Sequence, residues 1–257
     1  MAFFQIEYHS TVLGLYRQVD VLYPDADQID EQYRDDKDIP VLYLLHGMGG
    51  NHHSWTSRTH LERLVRQTNL IIIMPNGDNG FYTNTTYGSR YFDAIATELP
   101  QVMRRFFPNM TTKRDKTFIA GLSMGGYGAF KLAMLTNQYA VAGSFSGALG
   151  FDFEHKEMTS DYWRGLFGSL KDFQASDNNL QVAAQKADGK TRFYAWCGYE
   201  DFLYEVNNQA VAAFREAGLD IDYQKDHGKH EWYYWEKQVA VFLEMLPIDY
   251  VKEERLS

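Results

Sequence analysis

One short run of this chain, Gly121-Leu122-Ser123-Met124-Gly125, constrains the possible fold more than any other. An apolar stretch leads into it and small, helix-compatible residues follow, which predicts a buried strand that turns sharply into a helix. Such a turn strains the backbone of the serine, and it crowds the positions two before and two after it. Gly121 and Gly125 lack the Cβ that would clash there. The run therefore predicts a nucleophilic Ser123 at a helix N-terminus; the alternative is a glycine-rich turn with an idle serine.

Strand-like and helix-like segments alternate along the chain from residue 41 onward. Continuous apolar runs, typical of strands covered on both faces, predict strands over 41–45, 70–74, 117–121, 141–145 and 192–196, and a shorter one over 221–224. Helices are predicted over 58–67, 93–107, 127–136, 203–217 and 232–246, with Pro100 as a candidate kink in the second. Two further strands, 3–8 and 15–22, form an N-terminal antiparallel pair. The pattern predicts the α/β class, with a mostly parallel central sheet and helices on both faces.

The interval 149–188 interrupts this alternation. It is polar, yet it carries several aromatic residues: Phe151, Phe153, Tyr162, Trp163 and Phe167. We expect it to form a small helical, cap-like excursion over the carboxyl edge of the sheet. Because the chain has no repeat, low-complexity tract or linker, residues 1–257 are predicted to form a single domain.

The composition excludes several function classes. The formal net charge is −9 and no basic stripe is present, so a nucleic-acid partner is not expected. The single cysteine, Cys197, lies in an apolar run and is predicted to be a buried, inert thiol. Residues 1–10 do not resemble a secretory signal and no run has membrane-spanning length, so we expect a soluble, cytoplasmic protein without membrane contact. Aromatic residues make up 16% of the chain, and some are expected to line a substrate cleft.

A nucleophilic serine needs a base and an acid that orients this base. His230 follows the last predicted strand and precedes the last helix, so it is the preferred base, with His227 as the competitor. Asp201 follows the strand over 192–196 and is the preferred acid, with the adjacent Glu200 as the alternative. The order serine, aspartate, histidine is the one found in hydrolases with a nucleophile elbow.

The tetrahedral intermediate of such a reaction needs two backbone N–H donors, which form the oxyanion hole. One is predicted to be the N–H of Met124, which follows the nucleophile. The other should come from the loop after the strand over 41–45, His46-Gly47-Met48-Gly49-Gly50, with Met48 preferred and Gly49 as the alternative. A phosphate-binding loop is the competing interpretation, but the Lys-Ser/Thr pair that such loops need is missing.

Histidines recur near the predicted sheet edge, which raises the question of a metal site. They are His46, His52, His53, His227 and His230. The chain has neither an HExxH motif nor a cysteine pair, and His230 already has a catalytic role. No metal and no cofactor are therefore expected.

These motifs together resemble the esterase D branch of the α/β-hydrolases, which includes S-formylglutathione hydrolases, feruloyl and acetylxylan esterases and bacterial tributyrin esterases. The resemblance is carried by the N-terminal strand pair, the runs 46–51 and 121–129, Asp201-Phe202-Leu203 and the run 228–232. It is closest to the small tributyrin esterases. It implies an α/β-hydrolase fold with Ser123 as nucleophile, Asp201 as acid, His230 as base, and the N–H groups of Met48 and Met124 as oxyanion donors. One departure is the run 51–55, which replaces the cysteine-containing loop usual in S-formylglutathione hydrolases.

The expected activity is that of a serine carboxylesterase that hydrolyses short-chain acyl esters of small molecules. Two alternatives use the same site: an acetyl or hydroxycinnamoyl (feruloyl) esterase acting on sugar esters, and an S-formylglutathione hydrolase. An acyltransferase and a catalytically silent binding protein of the same fold are the remaining hypotheses. Tyr233, Tyr234 and Trp235 face either the core or a second subunit, so homo-oligomer formation stays open.

Overall fold

The computed structural model describes residues 1–151 and 160–252. Within these residues, eight strands form one sheet: β1 (Ala2–Ser10), β2 (Leu15–Tyr23), β3 (Val41–Leu45), β4 (Ile71–Pro75), β5 (Thr117–Leu122), β6 (Val141–Phe145), β7 (Arg192–Gly198) and β8 (Asp220–Asp226). Their order across the sheet is β1-β2-β4-β3-β5-β6-β7-β8. The neighbouring strands β4, β3, β5, β6, β7 and β8 are all parallel to one another. Strand β2 runs antiparallel to both of its neighbours, β1 and β4. This arrangement confirms the predicted α/β-hydrolase architecture with an antiparallel N-terminal strand pair.

The helices of the described residues cover both faces of the sheet. They are α1 (Ser54–Arg58), α2 (Leu61–Val65), α3 (Tyr91–Asp93), α4 (Leu99–Phe106), α5 (Met124–Leu135), α6 (Asp161–Phe167), α7 (Leu170–Ala175), α8 (Leu180–Ala184), α9 (Tyr204–Glu216) and α10 (Trp232–Met245). Because side chains of a strand alternate between faces, Leu42 and Leu44 join one core cluster and Tyr43 joins the other. The first cluster includes residues of α1, α2 and α10, and the second includes residues of α4, α5, α8 and α9. Each face of the sheet therefore has its own packed hydrophobic core.

The predicted helix over 58–67 is wrong. The structure has two short helices there, α1 and α2, with Thr59 in an extended conformation between them. The Thr59 hydroxyl donates to the Trp55 carbonyl, and the His60 amide donates to the Glu236 carboxylate in α10, at 2.8 Å. A contact 176 residues away in sequence therefore fixes this break, and local periodicity carries no sign of it.

The helix predicted over 93–107 is present in three connected parts. A π-helical turn, Ala94–Glu98, lies between α3 and α4, and Pro100 occupies the first turn of α4. Proline has no N–H, so the carbonyl four residues earlier, that of Ala96, lacks its usual helical partner. That carbonyl instead accepts from the Gln138 side-chain amide at 3.0 Å.

The excursion predicted over 149–188 contains α6, α7 and α8, while residues 152–159, including Phe153, lie outside the described residues. It packs on the loops at the carboxyl edge of the sheet. The Thr86 amide donates to the Gly165 carbonyl at 3.0 Å, and the Tyr127 hydroxyl donates to the Asn178 carbonyl at 2.7 Å. Phe81 contacts the rings of Trp163 and Phe167. An aromatic layer therefore joins the excursion to the sheet edge.

The burial of individual side chains bears on two further predictions from the sequence. Cys197 is buried in β7, and burial raises the pKa of its thiol, so the thiol is protonated and unreactive at neutral pH. Trp235 packs into the core, whereas Tyr233 is 60% exposed. No helix among the described residues combines the length and apolar character that crossing a lipid bilayer requires.

Candidate active site

Ser123 occupies the sharp turn between β5 and α5, as predicted. Its backbone has φ 52° and ψ −118°, a strained conformation for a residue other than glycine. Three backbone hydrogen bonds fix this conformation. The Ser123 N–H donates to the Phe145 carbonyl at 2.9 Å, and the Ser123 carbonyl accepts from the amides of Tyr127 and Ala148, both at 3.1 Å. The surrounding structure thus holds the strain of this half-buried serine at the start of α5.

The two glycines of the elbow are required by close backbone approach. A Cβ on Gly121 would lie 2.5 Å from the carbonyl carbon and oxygen of Gly125. A Cβ on Gly125 would lie 2.5 Å from the carbonyl oxygen of Leu45 and 2.7 Å from that of His46. Because these neighbours are backbone atoms, no side-chain rotation relieves the clash.

We expect Gly125→Ala to destabilise the protein by about 3 kcal/mol, the cost of forcing extra volume into a packed interior. Gly165→Ala is the matched control. Gly165 lies in α6, and a Cβ there would meet its nearest atom, in the Tyr87 ring, at an ordinary 3.4 Å. Its substitution should be neutral or slightly stabilising, because alanine favours helices. Urea unfolding followed by tryptophan fluorescence measures both, and an unchanged midpoint for Gly125→Ala would contradict the steric argument.

Ser123, His230 and Asp201 are joined by a continuous chain of hydrogen bonds. The Ser123 Oγ lies 3.0 Å from Nε2 of His230, and Nδ1 of His230 lies 3.0 and 3.2 Å from the two carboxylate oxygens of Asp201. A carboxylate only accepts, so Nδ1 carries the ring proton and Nε2 accepts from the serine hydroxyl. The Asp201 side chain is fully buried, and it also accepts from the Leu203 amide at 2.9 Å. This arrangement can remove the serine proton and stabilise the imidazolium that forms.

The competing pair, His227 and Glu200, lies outside this chain. His227 is 83% exposed and its Nδ1 lies 2.6 Å from the Glu200 carboxylate, which raises the pKa of His227. The second oxygen of Glu200 accepts from the Gly228 amide at 2.7 Å. This pair therefore joins the loop after β7 to the loop after β8, and it does not contact Ser123.

The loop after β3 lies directly against the elbow. A Cβ on Gly47 would come within 2.5 Å of the Leu122 side chain and 3.3 Å of Ser123 Cβ. The Gly49 N–H donates to Asn79 Oδ1 at 2.8 Å. By contrast, the N–H groups of Met48 and Met124 have no hydrogen-bond partner within the described part of the chain. Of the two donors considered from sequence, Gly49 is thus occupied and Met48 is free.

His46 is neutral in this site. Burial lowers the pKa of His46 to about 4. Its Nδ1 donates to the Gly47 carbonyl at 2.7 Å, and its Nε2 accepts from the Gly77 amide at 2.8 Å. His52 and His53 lie beside the buried carboxylate of Asp20 instead. Among the residues described, no group of three histidine, cysteine or acidic side chains is placed to hold a metal ion.

Several residues around the site could not be assigned from the sequence. Phe202 is 76% exposed and its ring lies 4.6 Å from that of His230, centre to centre, while Trp235 contacts the same ring edge-on at 4.9 Å. Asn79 and Tyr82 contact the loop after β3. The position of Phe202 directly after Asp201 is the only local signal, since the other contacts join distant segments.

Comparison with known proteins identifies the family of this chain. The Esterase family model, described as "Putative esterase", matches residues 10–246. The chain belongs to this esterase family. It is therefore an ester-hydrolysing enzyme. A curated relative, the acetyl esterase of Caldicellulosiruptor saccharolyticus, is 31% identical over 93% of this chain and 96% of its own length.

Two solved structures are similar to this esterase over nearly its whole length. One is the substrate-bound form of FphF, a fluorophosphonate-binding serine hydrolase of Staphylococcus aureus, with a TM-score of 0.80 and 26% identity. The other is the S-formylglutathione hydrolase FrmB of the same organism, without ligand, with a TM-score of 0.81 and 26% identity. Each match covers 95% of this chain and 98% of the other. These matches confirm the resemblance to the esterase D branch and the α/β-hydrolase fold.

Proposed function

We propose that this esterase is a serine carboxylesterase that hydrolyses short-chain acyl esters of small molecules, tributyrin-like esters among them. The observation that carries the proposal is the hydrogen-bonded series Ser123, His230 and Asp201, with the serine in a strained elbow at the start of α5. Membership of the esterase family supports the ester as substrate. The 26% identity to a serine hydrolase supports the serine as nucleophile.

Acylation begins when Ser123 Oγ attacks the ester carbonyl carbon while its proton passes to Nε2 of His230. The carbonyl oxygen becomes an oxyanion, which accepts from the N–H groups of Met48 and Met124. Asp201 keeps the proton on Nδ1 and stabilises the imidazolium. His230 then returns the proton to the departing alkoxide, the C–O bond to the alcohol breaks, and an acyl-serine remains.

Deacylation repeats these steps with water as the nucleophile. His230 removes a proton from the water as its oxygen bonds to the acyl carbon, and the same two N–H groups stabilise the second oxyanion. Collapse of the intermediate expels Ser123 Oγ, which takes the proton back from His230. The products are a carboxylic acid and the free enzyme, and no cofactor takes part in the proposed steps.

The preference for short acyl chains is tested by p-nitrophenyl esters from acetate to palmitate. The excursion carries only three short helices within the described residues, which favours a shallow acyl pocket. The similarity to an acetyl esterase supports the same end of the series. We expect kcat/KM for the palmitate ester to fall more than about tenfold below that for butyrate, because added methylenes find no matching pocket. A profile that rises toward palmitate would contradict this substrate assignment.

Hydrolysis of the thioester S-formylglutathione is the second candidate, favoured by the similarity to FrmB. The run 51–55 differs from the loop usual in that class. His53 Nδ1 lies 2.7 Å from the Asp20 carboxylate, so this segment has its own packing. S-formylglutathione and p-nitrophenyl acetate should be compared on one enzyme preparation. A kcat/KM at least about a hundredfold higher for the thioester would make the thioester hydrolase the better assignment.

A further inference from the structure

The loop that follows β4, residues 76–82, is strained at three positions. Asp78, Phe81 and Tyr82 have φ of 47° to 48°, a region that bulky residues rarely adopt. Side-chain contacts hold the conformation: the Asp78 carboxylate accepts from Arg17 at 2.7 Å and from the Tyr91 hydroxyl at 2.9 Å. Strain of this kind persists where surrounding contacts over-determine it, and it is concentrated near functional sites.

Three hydrogen bonds join this strained loop to the loop after β3. The Gly77 amide donates to Nε2 of His46 at 2.8 Å, and the Tyr82 hydroxyl donates to the His46 carbonyl at 2.9 Å. The third bond is from the Gly49 amide to Asn79 Oδ1, at 2.8 Å. The first two fix the start of the loop, and the third fixes it directly beyond Met48.

Asn79 is held in turn from the excursion. Its carbonyl accepts from the Tyr162 hydroxyl in α6 at 2.7 Å. Gly49 has φ 74°, so the chain turns at this residue. Its amide is the one that donates a hydrogen bond to the Asn79 side chain. The peptide group between Met48 and Gly49 contains the Met48 carbonyl and the Gly49 N–H. The orientation of this peptide group limits the direction in which the Met48 N–H can point.

We propose that Asn79 is a positioning residue for the loop after β3, residues 46–50, which we call the oxyanion loop. Asn79 accepts a hydrogen bond from the Gly49 N–H, so that the Met48 N–H remains directed at the reacting carbonyl. This inference rests on the proposed serine esterase mechanism. Asn79 contacts neither the reacting atoms nor the triad, so it acts only through the loop. Its loss should weaken stabilisation of the oxyanion in the transition state and leave ground-state binding of the ester nearly unchanged.

The test compares Asn79→Ala with Asn84→Ala. Both side chains are exposed, and each accepts a hydrogen bond from one backbone amide. The Asn84 side chain accepts from the Asp93 amide at 3.3 Å, so only Asn79 contacts the oxyanion loop. For Asn79→Ala we expect kcat for p-nitrophenyl butyrate to fall about tenfold, the effect of one lost hydrogen bond, with KM changed less than about twofold. Asn84→Ala should stay within about twofold of wild type in both parameters.

A second measurement separates positioning from a general structural defect. Phenylboronic acid forms a tetrahedral adduct on an active serine, so its inhibition constant reports the oxyanion site. It should rise in Asn79→Ala by the same factor by which kcat falls, while the melting temperature and the final fraction labelled by a fluorophosphonate stay at wild-type values. A kcat within about twofold of wild type, or a fall in kcat with an unchanged boronate constant, would overturn the inference.

Failure of the inference can be distinguished from failure of the proposed function. If Ser123→Ala is inactive while Asn79→Ala is fully active, only the role of Asn79 is wrong. If Ser123→Ala retains wild-type activity, the serine mechanism itself fails, and the role of Asn79 fails with it.

Discussion

Ser123→Ala is expected to lower kcat for p-nitrophenyl butyrate on the order of a millionfold, the loss seen when a nucleophile is removed from a triad that acts as a unit. The substitution removes one oxygen atom and nothing that supports the elbow, because the backbone bonds of Ser123 remain. The protein should therefore keep its melting temperature.

The informative control for Ser123→Ala is a serine that lies near it without facing the ester. Ser146 also has a positive φ, 47°, and follows β6 at the same sheet edge, but it is fully buried. Ser146→Ala should retain activity within about tenfold of wild type, because it removes no group of the triad. Full activity in Ser123→Ala, or equal losses in both variants, would contradict the assignment of the nucleophile.

The second large effect is expected at His230. His230→Gln should lower kcat about as much as loss of the serine, since the hydroxyl then has no base. His227→Gln is the matched control, because it changes the same residue type three positions earlier and removes only surface contacts, those with the Glu200 carboxylate and the Tyr199 ring. It should leave kcat within about twofold of wild type.

Kinetics of both histidine variants on p-nitrophenyl butyrate, with thermal melting beside them, test this assignment. A fully active His230→Gln enzyme would exclude His230 as the base. A large loss in His227→Gln at an unchanged melting temperature would indicate that the exposed histidine takes part in the reaction.

Strands with a strong local signal could be predicted closely from the sequence. The apolar runs 41–45 and 141–145 coincide with β3 and β6, because strands buried on both faces must be apolar throughout. The elbow was equally well defined, since its two glycines are dictated by backbone contacts within the motif and with β3. At these positions the residue types that the local pattern calls for, apolar residues or glycines, are also the ones that the tertiary packing requires.

Elements fixed by distant contacts could not be predicted in this way. The break between α1 and α2 depends on Glu236, and the partner of the Ala96 carbonyl, which Pro100 leaves without its helical donor, is the distant Gln138. Likewise, the sequence favoured Met48 over Gly49 as the second oxyanion donor but gave no contact that separates these two neighbours in the loop. Their difference arises from Asn79, thirty residues away, which accepts only the Gly49 amide.

Covalent labelling tests whether Ser123, whose hydroxyl is hydrogen-bonded to His230, is the nucleophile. The enzyme is treated with a fluorophosphonate, and the modified residue is located by mass spectrometry of the digested protein while residual activity is followed on p-nitrophenyl butyrate. We predict one phosphonyl group per chain, on Ser123, with activity lost in proportion to labelling and no labelling of Ser123→Ala. Complete inactivation with the label on another residue, or full activity with Ser123 fully labelled, would exclude Ser123 as the nucleophile.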